Sequence, residues 1–258
     1  SEDFRIGEAK NLNLLHDKLK SLCMVRRTKE EVLKEVPTKN FISIEIPISN
    51  RKDYDRLTGE IQQLTTKAKK SLEYAAEKKG RLFELRKVLG VGKVAAIAEW
   101  ITSFVEESDG ESLIVFAHHI DVQSELVRLF PGAAKILGGM SLAERHQNKE
   151  EFQSGSKNLL ICSLLAAGEG LDLSAADNMA ICELGWTPVQ MEQAIGRMEA
   201  VGKTSPLTIY TFLGERTIDI KMAGMLKAKG VEADMVASGK VHEDSYVESI
   251  LEHILTTP

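Results

Sequence analysis

Two groups of residues in this 258-residue chain have the types and spacing to do chemistry. In the first, Gly168, Gly170 and Asp172 lie in a loop between two apolar runs, where backbone can approach a ligand closely. Downstream, Gln193 and Arg197 stand four apart, so a helix would carry an amide and a guanidinium on one face. The second group follows two other apolar runs. His118-His119 has no Cys or carboxylate at ligand spacing, so no metal site is expected, and the pair reads either as loop residues near a phosphate or as hydrogen-bonded structural histidines. Gly138-Gly139-Met140-Ser141 precedes a helix start, where free N–H groups and the positive dipole end suit one phosphate, although a Gly-Gly there is often only a turn.

The elements that must hold these residues follow from hydrophobic period. SLIVFA (112–117), NLLICS, NMAICEL and LTIYTFL (207–213) are apolar runs of buried-strand length, and residues 135–137 make a short strand. NFISIEIPIS (40–49) alternates at period two and ends near Pro47, which predicts a half-exposed edge strand. A long helix is expected from Asn50 and Asp53 to Ala75, a second from Lys93, a third over DVQSELVRLF (121–130), and a last over residues 215–229, ended by Gly230. Ser141 with Glu144 three residues on is a capping box that opens a helix to Phe152. Strands alternating with helices at this spacing mean an α/β fold with a doubly wound parallel sheet, in which ligands bind beyond the carboxyl ends of the strands.

Composition narrows the class. A hydrophobic share of 43% and a charged share of 28% are ordinary for a soluble globular protein. A net charge of −5 argues against general coating of nucleic acid and leaves contact with phosphates to local patches. One such patch is the Lys/Arg-rich stretch 67–87, which is either a basic face or a solvated helix surface. Cys23, Cys162 and Cys182 are scattered like small core hydrophobes in a reducing compartment. With no signal peptide and no run of roughly 18 apolar residues, the expectation is an intracellular, soluble chain with no membrane partner.

Residues 158–203 resemble motifs V and VI of the superfamily 2 helicases, and most closely the Swi/Snf-type double-stranded DNA translocases. The resemblance rests on the Gly168-x-Gly170-Leu171 loop, Trp186-x-Pro188, and the run Gln193, Ala194, Arg197 and Gly202. Ala200 departs from that pattern where a second arginine belongs, and Lys203 departs mildly at its end. FAHH (116–119) resembles motif IV of the annealing-helicase branch, and Arg26, Arg27 and Thr28 resemble the segment by which the family leaves its first motor lobe.

The resemblance implies the C-terminal, second RecA-like lobe with a helical protrusion near the N-terminus. Its parts would be a helical exit from the first lobe (1–39), an edge strand and protrusion (40–92), the lobe itself (93–239) and a C-terminal helix (240–258). It further implies contacts with DNA at His118, His119, Gly138, Gly139, Arg145, Ser163 and Ala167. Nucleotide would be faced by Gly168, Gly170, Asp172 and Arg197, with Asp172 accepting from a ribose hydroxyl, orienting the arginine, or simply forming a turn. Gln193, Arg197 and position 200 would be the catalytic set, because an arginine at the γ-phosphate is worth roughly 10³–10⁵ in rate. Ala200 has neither charge nor donors, which predicts strongly impaired hydrolysis. Its isolation among kept motifs points to an altered arginine, with natural degeneration as the alternative.

No Gly-x-x-x-x-Gly-Lys-Ser/Thr and no Asp-Glu-x-His box is present, and Gly90-Val91-Gly92-Lys93 lacks the loop length and hydroxyl residue of a phosphate loop. ATP would therefore be shared with a first RecA-like lobe of the same parent protein, which would also hold Mg²⁺. The expected partner is double-stranded DNA, and this chain alone is not expected to turn over ATP. The compartment implied is a prokaryotic or virus-infected cytoplasm, or a eukaryotic nucleus. The alternative function is a non-catalytic DNA-binding or interaction module derived from such a lobe. A different α/β enzyme, such as one acting on nucleotide sugars, would require the Gln193 and Arg197 pattern to be coincidence.

Overall fold

The apolar runs become strands because each is covered on both faces. In a computed structural model, which describes residues 37–66, 72–164, 171–185, 188–200 and 203–235, the order is β1 (Lys39–Ile46), α1 (Arg51–Thr66), α2 (Leu72–Glu107), β2 (Leu113–Ala117), α3 (Ile120–Leu129), β3 (Ala134–Ile136), α4 (Leu142–Gln153), β4 (Leu159–Ser163), β5 (Asn178–Ile181), α5 (Pro188–Gly196), β6 (Leu207–Gly214) and α6 (Ile218–Met235). The strands form one parallel sheet in the order β1-β6-β5-β2-β4-β3. Ile114 and Phe116 of β2 join a core with Phe152 of α4 and Ala194 of α5. The alternate residues Val115 and Ala117 join Ile97 and Ile101 of α2 and Leu126 of α3. Burial on both faces explains why these strands read as continuous apolar runs rather than alternating ones. The doubly wound parallel sheet expected from the sequence is the fold found.

β1 is an edge strand, as Pro47 predicts, but the half-exposed alternation expected is not seen, since Phe41 and Ile42 are both exposed. Ser141 and Glu144 form the expected capping box, each bonding the other's backbone N–H. Helix boundaries differ more. The helix expected to run to Ala75 is described as α1 as far as Thr66, residues 67–71 lie outside the described residues, and Ala75 falls in α2. The start expected at Lys93 does not exist, because α2 runs unbroken through Gly90 and Gly92. Both glycines are fixed by close packing: a Cβ on Gly90 would strike the Glu183 carboxylate, and one on Gly92 would strike the Asn50 side chain. α6 likewise continues past Gly230 to Met235. Over Ala76–Glu107, α2 is long and apolar enough to cross a membrane by length and composition alone. Its apolar face instead packs into the core through Leu85, Leu89, Ile97 and Ile101.

Lys93 is buried within α2 with 1% of its side chain exposed. Its ammonium donates to Asp219 Oδ2 at 2.7 Å and to the Phe212 carbonyl at 3.0 Å. The same carboxylate oxygen accepts the Gly214 N–H at 3.1 Å. The glycine-lysine run is therefore a packing and ion-pair device joining α2 to α6, and its lysine has no access to a phosphate.

Candidate functional site

Parallel strands deliver their following loops to one edge, and among the described residues the loop after β2 is held by several side chains. The His118 and His119 backbone N–H groups both donate to Glu183 Oε2, at 2.8 and 3.0 Å. The other carboxylate oxygen, Oε1, bonds His119 Nδ1. Glu183 lies two residues beyond β5 and is 4% exposed. Burial pushes its carboxyl upward, but the His119 hydrogen bonds and the charges of His119 and Lys93 leave it below the usual carboxylate range. Gln123 of α3 donates to the Ala117 and His118 carbonyls, closing the turn from the other side. His118 is held neutral: burial, then the Arg86 guanidinium, then His119 push it down from 6.5 to about 4, while Glu183 opposes them. Its Nδ1 is buried without a hydrogen-bond partner among the described residues. The two rings meet edge to face at 4.9 Å.

The turn after β3 is simpler. Gly139 has φ of +80°, a left-handed value that favours glycine there. Arg145 Nη2 reaches back to the Leu137 carbonyl at 3.4 Å, so the arginine ties α4 to the start of this turn. The capping box places the Glu144 carboxylate on the Ser141 N–H at 2.9 Å, at the helix end where a phosphate was expected. Ser163 ends β4 between these two turns and is buried.

The second expected group gathers elsewhere. Asp172 is exposed, and its Oδ1 accepts the Ser174 N–H at 3.0 Å. Ser174 hydrogen bonds thus hold its carboxyl below the ordinary range, and the residue forms a turn. The next N–H, of Leu173, donates to the Arg197 carbonyl at 2.8 Å and binds this segment to the one bearing the arginine. Arg197 is not on the helix face shared with Gln193. α5 ends at Gly196, and Arg197 N–H bonds the Ala194 carbonyl at 3.2 Å in a tighter turn. Gln193 is exposed on α5, and Ala200 lies half-buried beyond the turn. Lys203, the mild departure, proves structural: its ammonium reaches the Ser174 carbonyl at 2.8 Å, the Ala176 carbonyl at 2.6 Å and Asp177 Oδ1 at 2.8 Å. Lys39 pairs with Glu199 in the same turn.

Glu183, Arg86 and Lys203 are the residues that sequence reasoning missed in these roles. The available signal for Glu183 was a single carboxylate inside the apolar run Cys182-Glu183-Leu184. Ala167, Gly168, Gly170, Trp186, Gly202, the segment with Arg26 to Thr28 and the helix expected at 240–258 lie outside the described residues. No group of three or more His, Cys, Asp or Glu residues able to hold a metal ion occurs among the described residues.

Residues 92–202 match the helicase conserved C-terminal domain family. The chain is similar to human DNA annealing helicase and endonuclease ZRANB3, 28% identical over 240 residues that make up 90% of this chain and 22% of that protein. It is also 29% identical over 235 residues to the Xenopus tropicalis SWI/SNF-related matrix-associated actin-dependent regulator of chromatin subfamily A-like protein 1, covering 85% of this chain and 24% of that one. The chain thus spans less than a quarter of the length of these relatives. Among solved structures, the Sulfolobus solfataricus SWI2/SNF2 ATPase core domain superimposes with a TM-score of 0.68 at 16% identity, covering 95% of this chain and 55% of the other. The same core in complex with dsDNA gives 0.64 over the same shares.

Proposed function

Since the chain belongs to the Swi/Snf-type superfamily 2 proteins as their C-terminal, RecA-like lobe, we propose that it is the second motor lobe of an ATP-dependent double-stranded DNA translocase. The observation that carries the reading is the Leu173 N–H bond to the Arg197 carbonyl, which joins the Asp172 segment to the arginine turn as one unit. This unit would face a nucleotide held chiefly, with Mg²⁺, by a first lobe. The residues fit that role only in part. Arg197 offers a guanidinium and Asp172 an exposed carboxylate, whereas Ala200 has no donor and the Lys203 ammonium is engaged by three protein oxygens. In such a motor the nucleotide's γ-phosphate is the group that takes up charge, and this lobe's contribution would be positive charge at one edge of it.

The His118-His119 and Gly138-Gly139 turns would meet the backbone of duplex DNA, with Ser163 at the end of the strand between them. Closure of the lobes would shift that grip along one strand. Two similar proteins support this reading: human ZRANB3 is a DNA annealing helicase and endonuclease, and the Sulfolobus solfataricus SWI2/SNF2 ATPase core is known in complex with dsDNA. The proposal puts the parent protein inside the cell, where such DNA lies.

A second reading has its own support. The engagement of the Lys203 ammonium by protein oxygens and the alanine at position 200 also suit a lobe that binds DNA or a partner without hydrolysing ATP. Duplex-stimulated ATP turnover, measured on this chain joined to the first lobe of a related motor, separates the two. A gain of several hundredfold or more in Ala200→Arg supports the motor. Equal and negligible rates with DNA binding retained would favour the binding module. Turnover by the 258-residue chain alone, at the rate of ordinary motors, would overturn both.

A further inference from the structure

Glu183 stands at a junction that neither half of the site explains alone. It lies in the connection from β5 to α5, yet its carboxylate is spent on the loop after β2, where it accepts both His118 and His119 main-chain N–H groups and the His119 ring. The two residues after it are gripped as closely. Arg86 of α2 donates to the Leu184 carbonyl. The Gly185 N–H points to Met191 Sδ at 3.5 Å, and a Cβ on Gly185 would lie 2.8 Å from Gln190 Oε1, so this turn packs directly on the first turns of α5. α5 leads to the Arg197 turn. The carboxylate itself has little room to move, because Gly90 of α2 is packed against its Oε1.

We infer that Glu183 is a positioning residue that couples the His118-His119 turn to α5, so that displacement of one turn is passed to the element leading to Arg197. A buried carboxylate taking two main-chain N–H groups makes a stiff link, since charged hydrogen bonds are shorter and roughly twice as strong as neutral ones. The path is contiguous: His118-His119 main chain, Glu183 carboxylate, Leu184-Gly185 turn, Met191 and Gln190. The inference rests on the motor-lobe reading for its purpose but not for its geometry. It differs from a contact role, because Glu183 would touch neither DNA nor nucleotide.

The test uses the 258-residue chain, its Glu183→Gln and His119→Ala variants, and amide hydrogen exchange resolved to single residues. Without DNA, Glu183→Gln should lower protection of the His118 and His119 amides by roughly tenfold to a hundredfold, the range for hydrogen bonds to a charged group. It should also lower protection at Met191 to Gly196 in α5, while the strand amides of β2 and β4 keep theirs. His119→Ala removes the ring contact and leaves the main-chain bonds, so it should disturb α5 far less. It also keeps the comparison readable if Glu183→Gln folds poorly. Loss of protection at His118 and His119 with α5 unchanged would overturn the coupling, as would equal effects of both variants. Adding a short duplex at low salt provides the second arm. Wild type should change exchange in α5 on binding, and Glu183→Gln should bind without passing that change on. If wild type binds no duplex, the motor-lobe reading fails, and the DNA-free arm still decides the role of Glu183.

Discussion

The turn around Glu183 and the turn around Arg197 are both built from charged side chains serving main-chain groups, yet they use charge in opposite ways. At the first, a buried anion collects N–H donors from another strand's loop, while Arg86 donates to the neighbouring Leu184 carbonyl. At the second, a cation collects carbonyl oxygens: Lys203 holds the Ser174 and Ala176 carbonyls and Asp177. The first arrangement fixes a loop through its main chain. The second commits the Lys203 ammonium to protein oxygens, and Ala200 carries no charge. One region is equipped as a positioned platform, while the other retains a single arginine of the pair that the resemblance leads one to expect.

The largest effect should come from restoring what the second region lacks. With a first lobe present, Ala200→Arg is expected to raise duplex-stimulated ATP turnover by about 10³-fold or more, the scale of an arginine at a transferring phosphoryl group. The substitution should leave duplex affinity of the lobe unchanged, and that split between turnover and binding is what steady-state rates beside a binding titration would read. A parallel loss of affinity would mean that the two regions are not separable in function.

Next in size are the lysines. Lys93 and Lys203 both satisfy carbonyls and one aspartate, but Lys93–Asp219 is 1% and 6% exposed whereas Lys203–Asp177 is 10% and 46% exposed. Breaking a buried pair from one side costs about 3–5 kcal/mol because the partner charge is left unpaired. Lys93→Met should therefore destabilise the chain by that amount in urea unfolding. Lys203→Met should cost only about 1–2 kcal/mol, for two carbonyls losing a donor near water. A larger loss at Lys203 than at Lys93 would show that the arginine turn, not the α2–α6 packing, anchors the lobe.

The sequence was readable where a single physical cause dominates. Val115, Ile161 and Ile209 sit in runs that can only be buried, so the strands β2, β4 and β6 were legible to within a residue or so. The capping box at Ser141 and Glu144 was legible because both partners lie in one turn. Where two causes compete, local signals misled. Gly90 and Gly92 each weaken a helix by about 1 kcal/mol relative to alanine, and the helix was expected to start only after them, at Lys93. Their true cause is distant, in the Glu183 carboxylate and the Asn50 side chain that occupy the space a Cβ would need. Glu183 itself was hidden for the same reason, since its partners are more than sixty residues away. Arg197 was placed on the helix of Gln193 by spacing, but a helix end depends on packing that spacing does not report.

The smallest effect, and the one that best separates the two regions, is in acid. His118 has its folded pKa pushed down to about 4 from 6.5, by burial first and then by Arg86 and His119, with Glu183 opposing. The unfolded chain therefore takes up that proton earlier. The stability tied to neutral His118 is complete above about pH 6.5, falls as pH drops toward 4, and is gone below it. Asp172 has its folded pKa lowered from 3.8 by the Ser174 hydrogen bonds, so its contribution is kept above that value and lost only as pH falls below it. Between pH 6 and pH 4.5, then, the His118-His119 turn should loosen while the Asp172-Arg197 turn does not. Amide exchange at His119 and at Leu173, followed over that range, would show the first rising beyond its ordinary pH dependence and the second holding. In His118→Asn the rise at His119 should disappear. If both amides loosened together in wild type, the two turns would be one cooperative unit, and the contrast drawn between them would not survive.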